Sequence, residues 1–446
     1  MARVPAPIAP TSTSSTDGVA GLPPLRIGIA GLGTVGAGVM RVLRANGDVI
    51  AARAGRTIEP VAVSARDRRR DRGVPIDALR WHDDPLALAN DPDIDVVVEL
   101  IGGADGPALA LVQAALAQGK PVVTANKALL AKHGAALGRL AAEHKAAIAF
   151  EASVAGGIPI IKTLREGLGA NRFSRVSGIL NGTCNFVLSQ MRETGRGFDE
   201  VLREAQDLGY AEADPTLDID GHDTAHKLAV LASLAFDIPI DLGIVYVEGI
   251  RHISPLDIEY AEDLGYRIKL LGTAVRTPRG IEQRVHPTMV SASDPMALVG
   301  GVDNAVVIEG DAVGRIVLQG RGAGAEPTAS AVVADLIDLA QGRRLPSFLP
   351  PESSLAAVPI TEHAGPCYVR LMVLDQPGVI ADVAAELRNE RVSVEAMIQR
   401  RNHPGRAVPV VLTTHPSQEA ALMQAVARIG QLGSVVEPPR MIRIEI

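Results

Sequence analysis

Leu25-Arg26-Ile27-Gly28-Ile29-Ala30-Gly31-Leu32-Gly33-Thr34-Val35-Gly36-Ala37-Gly38-Val39-Met40-Arg41-Val42-Leu43 is the stretch that decides the fold. An apolar run, Leu25 to Ala30, meets Gly-x-Gly-x-x-Gly and passes directly into residues with helical spacing. This reads as strand, glycine turn and helix. In that setting Gly31, Gly33 and Gly36 permit a tight turn, a close backbone approach to a pyrophosphate, and packing of helix on strand. The helix N-terminus, starting at Thr34 and Val35, offers free N–H donors to phosphates. The reading is a dinucleotide site, and the plainer alternative is a structural glycine turn.

Outward from this stretch, a β-branched run from Glu59 to Val63 is followed by Asp93 to Ile101, a helix from Pro107 to Gln118, and a strand from Lys120 to Thr124. A last strand is expected from Ala147 to Glu151. Alternating strands and helices of this size predict an α/β, Rossmann-type doubly wound parallel sheet over residues 25–152. Residues 1–24, rich in Pro, Ser and Thr, lack the apolar core of a signal peptide and are expected to be a flexible tail. An α+β substrate and dimerisation domain is expected over 153–320, with longer helical segments up to about His286, among them an amphipathic stretch from His222 to Phe236. A helix from Glu326 to Gln341, within a 321–345 segment, is expected to return to the first domain. A breaker-rich linker over 346–365 then leads to 366–446, where strand-helix-strand-strand-helix-strand predicts a ferredoxin-like unit.

The whole chain has 446 residues, which suits about three domains. Only 3% of residues are aromatic and the net charge is -7. Stacking platforms are therefore hard to build, and the main basic run, Arg66 to Arg70, is short and broken by acid, so nucleic acid is not the expected partner. No apolar run reaches the roughly 20 residues of a membrane span. Two cysteines far apart, Cys184 and Cys367, form no disulfide framework and fit a reducing cytoplasm.

Several clusters carry chemistry. After Val63 come Ser64, Ala65 and the run Arg66-Asp67-Arg68-Arg69-Arg70. A guanidinium at Arg66 suits a ribose 2′-phosphate, so NADP is the favoured cofactor, while Asp67 keeps NAD open. Lys127, in Thr124-Ala125-Asn126-Lys127, stands at the carboxyl edge of the sheet, where such folds place ligands, or is a surface residue. Glu151 and the small residues up to Ile158 either gather oxygens around a hard cation or merely cross between domains. The densest group runs from Glu212 through Asp214, Asp218, Asp220 and Asp223 to Lys227. Asp223 and Lys227 share a helix face. They form either a surface salt bridge or a site for an ammonium-bearing substrate with a lysine as proton donor. His222 and His226 are spaced as a metal pair without an evident third ligand. Cys184 is either a thiol nucleophile or a small buried hydrophobe.

Taken in order, Gly-Leu-Gly-Thr-Val-Gly at 31–36, Glu-Leu-Ile-Gly-Gly at 99–103, Val-Thr-Ala-Asn-Lys-Ala-Leu-Leu-Ala at 123–131, Glu-Ala-Ser-Val-Ala-Gly-Gly-Ile-Pro-Ile-Ile at 151–161, Gly-Ile-Leu-Asn-Gly-Thr-Cys-Asn-Phe at 178–186 and the acidic loop with Lys227 closely resemble the homoserine dehydrogenase family of the single-function bacterial type. The part from Cys367 onward resembles an ACT domain, with Asp375-Gln376-Pro377-Gly378-Val379 as its signature turn.

The resemblance implies NAD(P)H-dependent, reversible reduction of L-aspartate 4-semialdehyde to L-homoserine, on the route to threonine, methionine and isoleucine. It implies that Glu212 and Asp218 hold the substrate amino group, that Asp223 lies beside Lys227, and that Lys227 donates the proton. Lys127 would sit between nicotinamide and substrate. A monovalent cation, typically sodium, would be held by Glu151 and the backbone oxygens of Val154, Gly156 and Ile158. Gly322, in Gly320-Arg321-Gly322-Ala323-Gly324, would touch the cofactor, and Arg66 the 2′-phosphate. A homodimer or homotetramer and a threonine effector near Asp375 and Gly378 are also implied. Two rival readings remain at this point: a thiol-dependent semialdehyde dehydrogenase working through Cys184, and a catalytically dead ACT-type amino-acid sensor.

Overall fold

The computed structural model describes residues 22–344, 346, 348, 355–400 and 407–445. Residues 1–21 of the expected tail, and 347 and 349–354 of the expected linker, lie outside the described residues.

Strands β1 (Leu25–Ala30), β2 (Ile58–Ser64), β3 (Arg80–His82), β4 (Val96–Glu99), β5 (Val122–Thr124) and β6 (Ile148–Ala149) form one sheet in the order β3-β2-β1-β4-β5-β6. Every pair in it is parallel. This is the doubly wound order, with the switch point between β1 and β4, so ligands belong at the carboxyl ends of those strands. The inner strands β1, β4 and β5 are near-continuous apolar runs, as covering on both faces requires. Ile27, Ile29, Val98 and Val123 pack with Val39, Val332 and Leu336 on one side, and Val97 and Val122 pack with Leu111, Leu129 and Leu130 on the other.

The helix Ala325–Ala340 returns to this domain and lies along the Thr34–Ala45 helix. The contact depends on Gly38, where a Cβ would fall 2.6 Å from the Ala325 carbonyl oxygen. Past β6 the expected strand is shorter than foreseen, because Glu151–Ser153 turns into a 3-10 helix.

The middle of the chain differs from the helical expectation. Strands β7 (Phe173–Ile179), β8 (Tyr246–Val247), β9 (Tyr266–Thr277), β10 (Gly280–Ser291), β11 (Asp303–Gly310) and β12 (Gly314–Arg321) build a second sheet around the long β9-β10 hairpin. The helices Gly182–Thr194 and His222–Phe236 pack on it. Sequence periodicity hides β9 and β10 because charged and polar residues such as Lys269, Glu282 and Arg284 are buried in them, so the apolar alternation that marks a strand is broken.

The C-terminal unit adds β13 (Ala357–Val358), β14 (Ala364–Gly365), β15 (Cys367–Leu374), β16 (Val394–Ile398), β17 (Ala407–Thr414), β18 (Ser417–Gln418) and β19 (Arg440–Ile444). Four of these run β19-β15-β17-β16, antiparallel, with the helices Val379–Asn389 and Glu419–Ile429 packed over them through Val383, Leu387, Leu422 and Ile429. This is the ferredoxin-like arrangement. β19 also pairs in parallel with β10, Thr288 opposite Arg443, so the two sheets are one eleven-stranded sheet.

Candidate active site

Gly31 closes the turn after β1 with φ +98, and a Cβ there would lie 2.4 Å from the Leu100 carbonyl oxygen. Gly36 is buried beneath it, its Cβ position only 2.1 Å from the Gly31 oxygen. Gly33 faces open space instead. Thr34 and Val35 open the helix behind these glycines. Gly31 and Gly33 line a cavity of about 530 Å³ that continues past Ser64, Arg66 and Arg70. The cradle above Gly33 at a helix N-terminus, with the Arg66 and Arg70 guanidinium groups along the same cavity, fits a dinucleotide. Arg72, which sequence reasoning passed over, holds the cradle by donating from Nε to the Leu32 carbonyl at 3.0 Å, with its guanidinium 5.9 Å from the Trp81 ring centre.

At the ends of β4 and β5, the buried Glu99 accepts from the Ile101 N–H at 2.8 Å and from Thr124 Oγ1 at 2.6 Å. Thr124 Oγ1 accepts in turn from the Asn126 N–H, and Asn126 caps the Lys127–Glu143 helix through Leu129 N while donating to the Gly103 oxygen at 2.7 Å. This polar network fixes Lys127 at the first position of a helix, where the helix dipole disfavours a cation. Asp223 compensates, with its Oδ1 2.8 Å from Lys127 Nζ.

Asp223 lies in the first turn of the His222–Phe236 helix. Its Oδ2 accepts from Lys227 Nζ at 2.7 Å, one turn on, and from Asn181 Nδ2 at 2.9 Å. Lys227 also donates to the Leu180 carbonyl oxygen at 2.7 Å. Burial would raise the Asp223 pKa, yet Lys227 and Lys127 together hold it well below the usual carboxylate range. Burial dominates at Lys227 and lowers its pKa, despite the neighbouring Asp223. At Lys127 burial is outweighed by Asp223, and its pKa rises. The two lysines therefore differ: Lys227 is the stronger acid.

Asp218 accepts from the second direction of Asn181, at 2.8 Å. Burial, then Asp223, pushes its pKa up. Glu212, Asp218, Asp223 and Lys127 all line a cavity of about 350 Å³ whose wall includes Gly102, a residue shared with the dinucleotide cavity. Lys227 stands behind Asp223 and is 8% exposed. Asn181 is the site residue that sequence reasoning missed. It is the N-cap of Gly182–Thr194, its Oδ1 accepting from the Cys184 N–H, and local sequence does not distinguish it from an ordinary cap.

Other candidates land elsewhere. Both Glu151 carboxylate oxygens accept from backbone N–H groups, of Ile161 and Lys162 at 2.9 Å each, so this side chain caps a helix start. The Val154 to Ile158 loop beside it carries further oxygens suited to a hard cation, and there Ala155 (φ 54) and Gly156 (φ 50) curl the chain in the left-handed region. Gly322 packs against that loop, its carbonyl oxygen 2.4 Å from a Cβ built on Gly156, and is not among the residues lining the dinucleotide cavity. Cys184 is fully buried, its Sγ donating to the Asp218 carbonyl oxygen at 3.1 Å. Burial, then Asp218 and Asp223, raises its pKa well above that of an ordinary thiol, the opposite of an activated nucleophile. Among the described residues no group of three or more His, Cys, Asp or Glu is placed to hold a metal ion, so His222 and His226 gain no third ligand. No described helix is long and apolar enough to cross a membrane. Asp375 and Gly378 lie in the turn after β15, with Gly378 (φ +95) preceding the Val379–Asn389 helix.

Comparison with known proteins gives three matching family models: "Homoserine dehydrogenase, NAD binding domain" over residues 31–151, "Homoserine dehydrogenase" over 159–337, and "ACT domain" over 368–431. The chain is 48% identical over 435 residues to a homoserine dehydrogenase of Pseudomonas aeruginosa, covering 95% of this chain and 99% of that one. With one of Neisseria gonorrhoeae it shares 46% over 431 residues, again 95% and 99%. Among solved structures, a homoserine dehydrogenase from Thiobacillus denitrificans superposes with a TM-score of 0.90 at 46% identity, covering 95% of this chain and 98% of that chain. A hyperthermophilic archaeal homoserine dehydrogenase in complex with NADPH matches with a TM-score of 0.60 at 27% identity, over 71% of this chain and 97% of that chain.

Proposed function

The chain belongs to the homoserine dehydrogenase family, an oxidoreductase family acting on a CH–OH group, and from that premise we propose how its residues divide the work. The observation that carries the reading is the Asp223 carboxylate, which ties Lys127 and Lys227 together at 2.8 and 2.7 Å beside the wall common to the two cavities.

A bound nicotinamide supplies the hydride acceptor or donor, and the protein supplies alignment and charge. Glu212 and Asp218 receive the substrate ammonium, which suits an acidic rim facing the cavity. Lys127 borders both ligands. As the C4 carbonyl of aspartate semialdehyde is reduced, negative charge grows on its oxygen, and Lys227 both stabilises that charge and donates the proton. Its lowered pKa favours donation, and Asp223 keeps it protonated and aimed. Asn181 fixes Asp218 relative to Asp223.

Further parts of the reading are these. Arg66 and Arg70 at the cavity wall favour NADP over NAD. Glu151 and the backbone oxygens of Val154, Gly156 and Ile158 would accept sodium. The ACT unit would take threonine at the Asp375 and Gly378 turn, in a homodimer or homotetramer. Two free, buried cysteines suit the cytoplasm.

Lys227→Ala tests the central assignment. Removing a proton donor costs about 10²–10⁴ in rate, and the same group also stabilises the oxyanion. The expected result is a loss of several orders of magnitude in kcat with dinucleotide affinity nearly intact. Near-normal turnover would remove Lys227 from the role.

A further inference from the structure

The turn after β4, from Leu100 to Gly106, stands between the two cavities of the active site. Leu100, Ile101, Gly102 and Asp105 line the dinucleotide side. Gly102 and Gly103 line the substrate side, next to Asn126 and Lys127. Gly102 and Gly103 both lie in the left-handed region, at φ +84 and +81, and a Cβ on either would meet no atom within 4 Å. At these two residues the turn is therefore held by hydrogen bonds and not by packing.

Those bonds lead to Glu99, the last residue of β4, which is fully buried and is not among the residues lining either cavity. Its Oε1 accepts from two successive N–H groups, of Ile101 at 2.8 Å and of Gly102 at 3.2 Å. Its Oε2 accepts from the hydroxyl of Thr124, its register partner on β5, at 2.6 Å. Thr124 Oγ1 accepts in turn from the Asn126 N–H at 3.0 Å, and Asn126 Nδ2 donates back to the Gly103 carbonyl oxygen at 2.7 Å. The bonds thus form a closed ring through the turn, Asn126, Thr124 and Glu99. A second tie lies farther out, where Asp105 accepts from Lys132 Nζ at 2.6 Å and stands 2.9 Å from His133 Nε2, both on the helix that Lys127 opens.

Burying a carboxylate is costly, and a link between β4 and β5 alone would need only one neutral hydrogen bond. A carboxylate differs in that both of its oxygens accept, so one can hold the turn while the other holds the neighbouring strand. We propose that Glu99 is a positioning residue for hydride transfer. One oxygen sets the turn that meets the dinucleotide, the other sets the strand end that leads into Lys127, and the spacing between the two ligands is fixed by a side chain that touches neither. The proposal rests on the reading of Lys127 as bordering both ligands and adds to it the group that places that border. Alignment of reacting atoms is sensitive to such a change, because a shift of about 1 Å can cost roughly 10²-fold in rate. Dinucleotide affinity, spread over the glycine turn after β1 and the rest of the long cavity, is far less so.

Glu99→Gln keeps the size and breaks the pattern. With the amide oxygen on the turn, the amide NH2 meets Thr124 Oγ1, which already accepts from Asn126, and the Thr124 hydroxyl loses its acceptor. Thr124→Val cuts the same ring from the other side, and Thr124→Ser keeps the hydroxyl. In the full-length enzyme, NADPH affinity is read by fluorescence titration, with and without homoserine, a pair that cannot turn over. The hydride step is read as the single-turnover rate of homoserine oxidation, identified by its isotope effect with homoserine deuterated at C4. We expect Glu99→Gln and Thr124→Val to bind NADPH alone nearly as the parent does and to slow the hydride step by about tenfold or more. Thr124→Ser should restore the parent rate. A parent-like hydride rate in Glu99→Gln, or in Thr124→Val should the first variant fail to fold, overturns the proposal. So does a loss of NADPH affinity as large as the loss of rate, which would mark a turn that only holds the cofactor. Homoserine that fails to bind beside NADPH in the parent overturns the substrate-site reading and this proposal together, whereas homoserine that binds with the hydride step unmoved in the variants removes Glu99 alone.

Discussion

Asp223 accepts from Lys127, Lys227 and Asn181 at once, and this single carboxylate sets the charge of the site. Without its negative charge both lysines lose the partner that raises their pKa. In Asp223→Asn, kcat for aldehyde reduction should fall, and the alkaline limb of its pH profile should move to lower pH, because the donor loses its proton earlier. A pH–rate series decides this, and an unmoved limb would separate Asp223 from the proton donor. At the other end of the cofactor cavity, Arg66→Ala should raise KM for NADP several-fold while changing that for NAD little, since a planar guanidinium pairs with a phosphate and not with a ribose hydroxyl. Steady-state rates with both cofactors read this out, and an equal change for the two denies Arg66 the phosphate. At this scale the sequence already contained the acids and both lysines. It could not indicate Asn181, because an asparagine after a strand is more often only a helix cap, and here it is cap and site residue together.

Among elements, the Ala325–Ala340 helix does more than pack on Gly38. Its buried Asp335 accepts from the Glu151 N–H at 2.8 Å and lies 3.8 Å from Lys162 Nζ. Burial, then the Glu151 charge, pushes the Asp335 pKa up to about 7. A carboxyl group with a raised folded-state pKa contributes stability that is fully present below the unfolded value near 4 and is lost as pH rises through about 7. Asp335→Asn keeps a carbonyl acceptor for Glu151 and removes the titration. Melting temperature against pH should therefore fall less steeply between pH 4 and 7 in the variant, and parallel curves would show that Asp335 does not titrate in that window. The helix itself was legible from its periodicity. Its buried aspartate was not, because a lone acid in an apolar helix gives no sign of which loop it will meet.

At the scale of the whole molecule, the C-terminal unit is fastened to the catalytic part by buried ion pairs as well as by β19. Asp257 caps the Pro255–Asp263 helix and accepts from Arg370 Nε at 2.6 Å and from Tyr368 at 3.2 Å, both on β15. Arg443 on β19 reaches across to Glu248 at 2.9 Å, held in place by Glu419 of its own unit at 2.5 Å. Removing one member of a buried pair leaves the other charge uncompensated and costs roughly 3–5 kcal/mol. Arg370→Met should lower the melting temperature and loosen the junction before the dinucleotide domain melts. Urea unfolding followed by protease sensitivity near residue 360 would detect this, and a variant as stable as the parent would mean the pair is not a fastening.

By itself the sequence determined the dinucleotide domain, the ferredoxin-like unit and the acidic loop with Lys227, because local spacing carries each of them: glycines between a strand and a helix, apolar periods of about two and 3.6, and residues four apart on one helix. Only the tertiary structure decided that Lys127 and Lys227, a hundred positions apart, meet on one carboxylate. It also turned Glu151 to backbone N–H groups, buried the Cys184 thiol, and merged two sheets through β10 and β19. These are contacts between segments distant in sequence, where burial and pairing choose the partner and local spacing carries no trace of it.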